Sequence, residues 1–114
     1  MDVTLFRHPE TPLTETQKLL RKQVAEQVTD DRAHFDMHCW STTAERTCDT
    51  VACLAGWAVH LSGQNAFEVK EVDSAAILLL GLTRREYVDD RTGPLFFASE
   101  EEAIRRMQAL AEAS

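Results

Sequence analysis

Five nitrogen and sulfur donors, His34, His38, Cys39, Cys48 and Cys53, fall within twenty residues of this chain. Imidazole nitrogen and thiolate sulfur are the donors zinc prefers, and on a helix His34 and His38, four apart, would share one face. His34, His38, Cys48 and Cys53 are therefore the candidate ligands of a zinc site. Against that, the four residues between Cys48 and Cys53 make a wider gap than the two-residue knuckle of structural zinc sites. The competing reading has the histidines facing solvent and the cysteines serving as small core residues, as cysteine outside disulfides commonly does. The chain is read as holding no cofactor, with zinc the alternative.

The same thiols admit redox and nucleophilic chemistry. Were Cys48 and Cys53 both in regular helix, a rise of about 1.5 Å per residue would part their Cα atoms by roughly 7.5 Å, beyond disulfide reach. Cys48 at a helix start would feel the dipole and the open amide groups, which lower a thiol pKa, while the neighbouring Asp49 would raise it. Cys53, Trp57 and His60 fall on one helical stripe at spacings of four and three, in a segment so apolar that a core stripe is the competing reading. Cys48, Cys53 and His60 are the candidates for a cysteine enzyme. Asp36, Trp40, Thr50 and Trp57 are the candidates for binding, with Phe35 and Met37 completing an aromatic cluster that would equally serve as core.

These residues need elements to position them. Thr11-Pro12 opens the first helix, or Thr14 with Gln17 forms a capping box one turn later. Leu13, Leu20, Val24 and Val28 line one face, with Lys18, Arg21, Lys22 and Glu26 mostly off it. Asp49 or Thr50 caps a second helix, running from about Thr50 to Ser62 and ended by a left-handed Gly63. It is apolar on nearly every side, and Ala52, Ala55, Gly56 and Ala58 let other backbones approach, so it should be the central rod. Asp73 or Ser74 caps a third helix ending at Gly81, and Thr83 with Glu86 forms a capping box stapled by Leu82 and Tyr87. Ser99 with Glu102 opens the last helix, whose inner face carries Ala103, Ile104, Met107, Leu110 and Ala111. Val3 and Leu5, and Phe67 and Val69, alternate with polar neighbours and suggest two short strands.

The expected fold is all-α, a compact single-domain bundle of four to five helices over residues 1–114 with a minor two-stranded β element, its ends at 1–10 and 112–114 flexible. Twelve Lys and Arg against nineteen Asp and Glu give a net charge of -7, which repels a phosphate backbone and argues against direct nucleic-acid binding. No apolar run approaches the roughly 20 residues of a membrane span. The opening MDVTLFRHPE lacks the basic and apolar regions of a signal peptide, and three cysteines make an odd number, so a reducing, cytoplasmic setting is expected.

The motifs FDMHCW, CDTVACLAGWAV, LGL and LFF, between Phe35 and Phe97, carry a family resemblance. The chain resembles a group of small bacterial and phage proteins without assigned activity, with patterns close to F-[DN]-M-x-x-W and C-G-T-x-x-C-x-A-G-W-A. Phe35, Asp36, Met37 and Trp40 match the first pattern, and Cys48, Thr50, Cys53, Ala55, Gly56 and Trp57 the second. Asp49 stands where the pattern has Gly, which matters if that position needs a positive φ. The resemblance implies no reaction and does not include His34 or His38. The sequence therefore points to a small acidic accessory or regulatory protein that binds another protein, homo-oligomer included. The alternatives are a zinc or thiol-redox module and a small cysteine-dependent enzyme.

Overall fold

The computed structural model describes residues 6–31, 35–37, 53–64, 71–89 and 93–113. Its order is α1 (Glu15–Asp30), α2 (Leu54–Leu61), α3 (Val72–Leu80), α4 (Arg84–Tyr87), β1 (Val88–Asp89), β2 (Gly93–Pro94), a 3-10 turn over Leu95–Phe97, and α5 (Glu100–Glu112). This is an all-α bundle, with one two-stranded β ladder among the described residues. A radius of gyration of 12.9 Å is close to the value of about 13 Å expected for a packed chain of this length.

The start of α1 is decided by reciprocal hydrogen bonds rather than by proline. The Thr14 hydroxyl accepts from the Gln17 amide at 3.1 Å while the Gln17 side-chain oxygen accepts from the Thr14 amide at 3.0 Å. Two amide groups without intrahelical partners are satisfied at once, so the helix opens one turn after Thr11-Pro12. Leu20, Val24, Ala25 and Val28 form its inner face. Burial of a Leu or Val side chain contributes about 1.5–3 kcal/mol, and this face packs against α2, α3 and α5.

Helix α2, expected as the central rod, is buried without a break from Leu54 to His60, but it packs mainly on α3 and α1, and α1 is the helix that touches α2, α3 and α5 alike. Helix α2 begins later than the Asp49 or Thr50 cap would require. Cys53 is the N-cap, in extended backbone conformation, and its Sγ accepts from the Gly56 amide at 3.4 Å. Extended geometry at Cys53 stops the helix from running back toward Thr50. At the other end Gly63 has φ +90, as its place after the helix suggests.

Helix α3 starts at Val72 with Glu71 as N-cap, so Asp73 and Ser74 lie within its first turn, where the Asp73 carboxylate accepts from the Ser74 amide at 2.9 Å. It ends at Gly81, whose left-handed backbone (φ 63) lets the Leu82 amide reach back to the Ile77 carbonyl at 3.1 Å. The Thr83–Glu86 capping box then opens α4, and Leu82 and Tyr87, on either side of it, are both buried.

The strand pair lies at Val88–Asp89 and Gly93–Pro94, antiparallel, with Val88 opposite Pro94. The segments at Val3–Leu5 and Phe67–Val69 that suggested strands lie outside the described residues. At α5 the Ser99 hydroxyl accepts from the Glu102 amide at 3.3 Å, while the Glu102 carboxylate is engaged by Arg105 at 3.0 Å. Ala103, Ile104 and Met107 are buried and Leu110 and Ala111 pack at the edge of the core. Among the described residues no helix is long and apolar enough to cross a membrane.

Candidate functional site

Of the residues singled out for chemistry, Asp36, Cys53, Trp57 and His60 are described, and His34, His38, Cys39, Trp40, Cys48 and Thr50 lie outside the described residues. The structure brings Cys53, Trp57 and His60 together on successive turns at α2, with exposures of 3%, 2% and 5%. The His60 ring meets the Trp57 indole edge-on, with centroids 6.0 Å apart and planes at 62°. A thiol this buried behaves as a small apolar side chain, and its sulfur is already used as a cap acceptor. The stripe belongs to the core. Asp36 is half-buried, between buried Phe35 and partly buried Met37. Among the described residues no group of three or more His, Cys, Asp or Glu side chains is placed to hold a metal ion.

An open groove of about 550 Å³ runs between α1 and α5, lined by Lys22, Glu26, Asp30 and Glu112 among others. Gln108 bridges the helices by donating to the Thr29 hydroxyl at 2.9 Å. The groove is open to solvent, and its charged lining is mostly acidic, with Ala25 and Ala111 between the polar side chains.

The densest electrostatic centre is elsewhere, at the corner where α3 turns into α4. Arg21, 1% exposed, donates from Nε to the Leu80 carbonyl at 2.7 Å and from Nη2 to the Gly81 carbonyl at 2.8 Å. The same guanidinium grips both oxygens of Glu86, at 3.3 and 3.0 Å. Arg7 donates from Nε to the Gly81 carbonyl at 2.8 Å and lies 3.5 Å from Glu86. Arg106, buried on α5, ties the far side down through the Tyr87 carbonyl at 3.0 Å and the Gly93 carbonyl at 2.9 Å. The carbonyls at the end of α3 carry the negative end of its dipole, so guanidinium donors suit them.

Burial by itself would raise the Glu86 carboxyl, but the hydrogen bonds from Arg21 and the Thr83 amide, with the charges of Arg21 and Arg7, hold it below the ordinary glutamate value. Tyr87 is raised, chiefly by burial and then by Asp73, with Arg106 opposing. Arginine neither gives nor takes protons near neutrality, and Glu86 is fully engaged, so this centre is built to hold a corner in place.

Sequence patterning places Arg21 on the polar side of α1, and the structure puts it inside. A signal exists: Arg21, Val24 and Val28 repeat at three and four, the spacing of the buried face. Arg106 sits likewise between Ala103 and Leu110. No protein-family model, curated protein or solved structure matches the chain.

Proposed function

We propose that the chain is a small acidic accessory or regulatory protein that acts by binding another protein and catalyses no reaction of its own. The reading is supported by where the structure spends its reactive and its apolar side chains. Cys53, Trp57 and His60 are enclosed in the core, whereas Phe97 is left 72% exposed. In the same 3-10 turn Leu95 and Phe96 are buried, so the turn holds Phe97 outward on a fixed base. An exposed aromatic on a rigid element is the kind of side chain that anchors protein interfaces. The acidic charge of -7 favours a basic partner surface. Membership of the bacterial and phage group whose motifs the chain resembles, and a cytoplasmic setting, belong to the same proposal.

The test is capture from the native host's lysate with the wild-type chain and with Phe97→Asp, each checked for folding by thermal melt. A stoichiometric partner lost on the substitution, at unchanged melting temperature, supports the reading. Absence of a stoichiometric partner, or capture indifferent to Phe97, overturns it. Elemental analysis of the same preparations discriminates the zinc alternative, since one bound metal per chain would turn attention to Cys48, His34 and His38.

A further inference from the structure

The segment before α1 lies across the α3–α4 corner and is attached there by two neighbouring residues. The Arg7 amide donates to the Leu82 carbonyl at 2.8 Å, the Arg7 guanidinium takes the Gly81 carbonyl and Glu86, and the Phe6 ring rests on Tyr87 with centroids 5.8 Å apart. Beyond Arg7 the chain makes a self-contained turn. The Thr11 amide donates to the His8 carbonyl at 2.9 Å, the Glu10 amide to the His8 ring at 3.1 Å, and Arg7 Nη1 to the Thr11 carbonyl. Helix α1 then begins with its own capping box at Thr14, which borrows nothing from this turn.

The groups that receive Arg7 are for the most part already satisfied from beneath. Gly81 keeps its bond from Arg21 Nη2, and Glu86 keeps two bonds from Arg21 and one from the Thr83 amide at 2.9 Å. Tyr87 keeps its edge-on contact with Phe96, centroids 5.1 Å apart. Among the described residues, only the Leu82 carbonyl would change from a protein donor to water. The corner is thus complete as a frame without the segment over it, and removing that segment leaves no buried charge unpaired.

We infer that residues 6–12 form a latch that opens as a unit while the bundle stays folded, uncovering Tyr87 and the Gly81–Glu86 corner. Residues 8–12 and the hydrogen bonds of their turn are exposed, and Phe6 and Arg7 are the segment's two partly buried attachments, so local opening has few buried contacts to break. When shut, the latch lays the Phe6 ring on Tyr87, which is 8% exposed. When open, it presents an aromatic ring beside a carbonyl and a carboxylate, the groups that Phe6 and Arg7 otherwise occupy. This opening stands whether or not Phe97 anchors a partner.

Tyr87 is the only tyrosine of the chain, so tyrosine chemistry reports on this corner alone. The experiment measures modification of native wild-type protein by N-acetylimidazole, read as the tyrosine-specific mass shift after peptide mapping. Hydrogen exchange of the Arg7 amide is measured beside exchange of the Trp57 amide, which donates to the Cys53 carbonyl in the core. In wild type, the Arg7 amide is expected to exchange at least about a hundredfold faster than Trp57. Arg7→Ala and Phe6→Ala should each speed Tyr87 modification about tenfold or more, with the Trp57 amide still protected. Equal exchange of the Arg7 and Trp57 amides in wild type overturns the inference, because the segment then opens only with the bundle. So does a Tyr87 rate unmoved in both variants while they remain folded.

Discussion

Arg21 of α1 closes on Glu86 of α4 across sixty-five residues of chain, with each oxygen of the carboxylate facing its own guanidinium nitrogen. The pair lies in a corner where the same guanidinium also serves the Leu80 and Gly81 carbonyls. Its value to the fold is one of satisfaction: it serves the Leu80 and Gly81 carbonyls and the Glu86 carboxylate at once, sharing the last two with Arg7. Arg21→Met keeps volume and removes the donors, and should cost about 3–5 kcal/mol, the range for breaking a buried pair from one side. Arg21→Lys restores a charge without the planar fork and should recover only part of that loss. Urea denaturation of the three proteins checks the order wild type, Lys, Met.

The Glu86 carboxylate gives the fold a defined acid limit. Its folded pKa is depressed by Arg21, the Thr83 amide and Arg7 against the raising effect of burial. A depressed carboxyl contributes stability that is complete above its unfolded value of about 4.3 and is lost as pH falls through the lower, folded value. The difference in unfolding free energy between wild type and Glu86→Gln should therefore be level from pH 7 down to about 5, then shrink steadily below about 4. A difference that instead grew on acidification would show that the carboxyl is raised in the folded state.

What the sequence discloses and what it hides divide along the distance between partners. The capping boxes at Thr14–Gln17 and Thr83–Glu86 and the stop at Gly81 are legible because cause and effect lie within four residues. The inner face of α5 is legible for the same reason. The start of α2 is displaced because cysteine is not among the usual capping residues, so Asp49 and Thr50 draw the eye away from Cys53. The stripe Cys53, Trp57, His60 is visible as a stripe, yet only packing shows that it faces inward on all sides. Arg21 and Arg106 share the spacing of the buried faces, yet a polarity pattern counts arginine as solvent-facing, and the carbonyls that admit them lie in other elements: at Leu80 and Gly81 for Arg21, at Tyr87 and Gly93 for Arg106.

Gly81 is required twice over. Its φ of +63 is disfavoured for any residue with a Cβ, and a Cβ there would come within 2.6 Å of the Gln17 side chain and 2.7 Å of the Leu13 side chain. The left-handed conformation alone costs about 1–2 kcal/mol. Gly81→Ala should therefore lose at least that much, and should also loosen the start of α1, since Gln17 is half of its capping box. Gly63→Ala makes the control: φ is +90 but nothing lies within 4 Å, so only the backbone penalty applies. Thermal melts should rank wild type above Gly63→Ala and Gly63→Ala above Gly81→Ala.

Cys53 raises a question that two substitutions answer with opposite signs. If the thiol matters only as a small apolar side chain, Cys53→Ala should be tolerated better than Cys53→Ser, since an unsatisfied buried hydroxyl costs about 1–3 kcal/mol. The structure makes the sulfur the acceptor for the Gly56 amide, which no intrahelical carbonyl can reach at the start of α2. Serine would supply a better acceptor at the same position, while alanine would leave that amide buried and without its cap. Ser at an N-cap exceeds Ala by about 1 kcal/mol, so Cys53→Ser should be the more stable variant by roughly that amount. The native thiol should correspondingly resist alkylation until the chain is denatured, read by mapping the Cys53 peptide. If alanine proves the more stable, the sulfur is packing and the cap bond contributes nothing measurable; if serine does, the thiol at the head of α2 is there to start the helix.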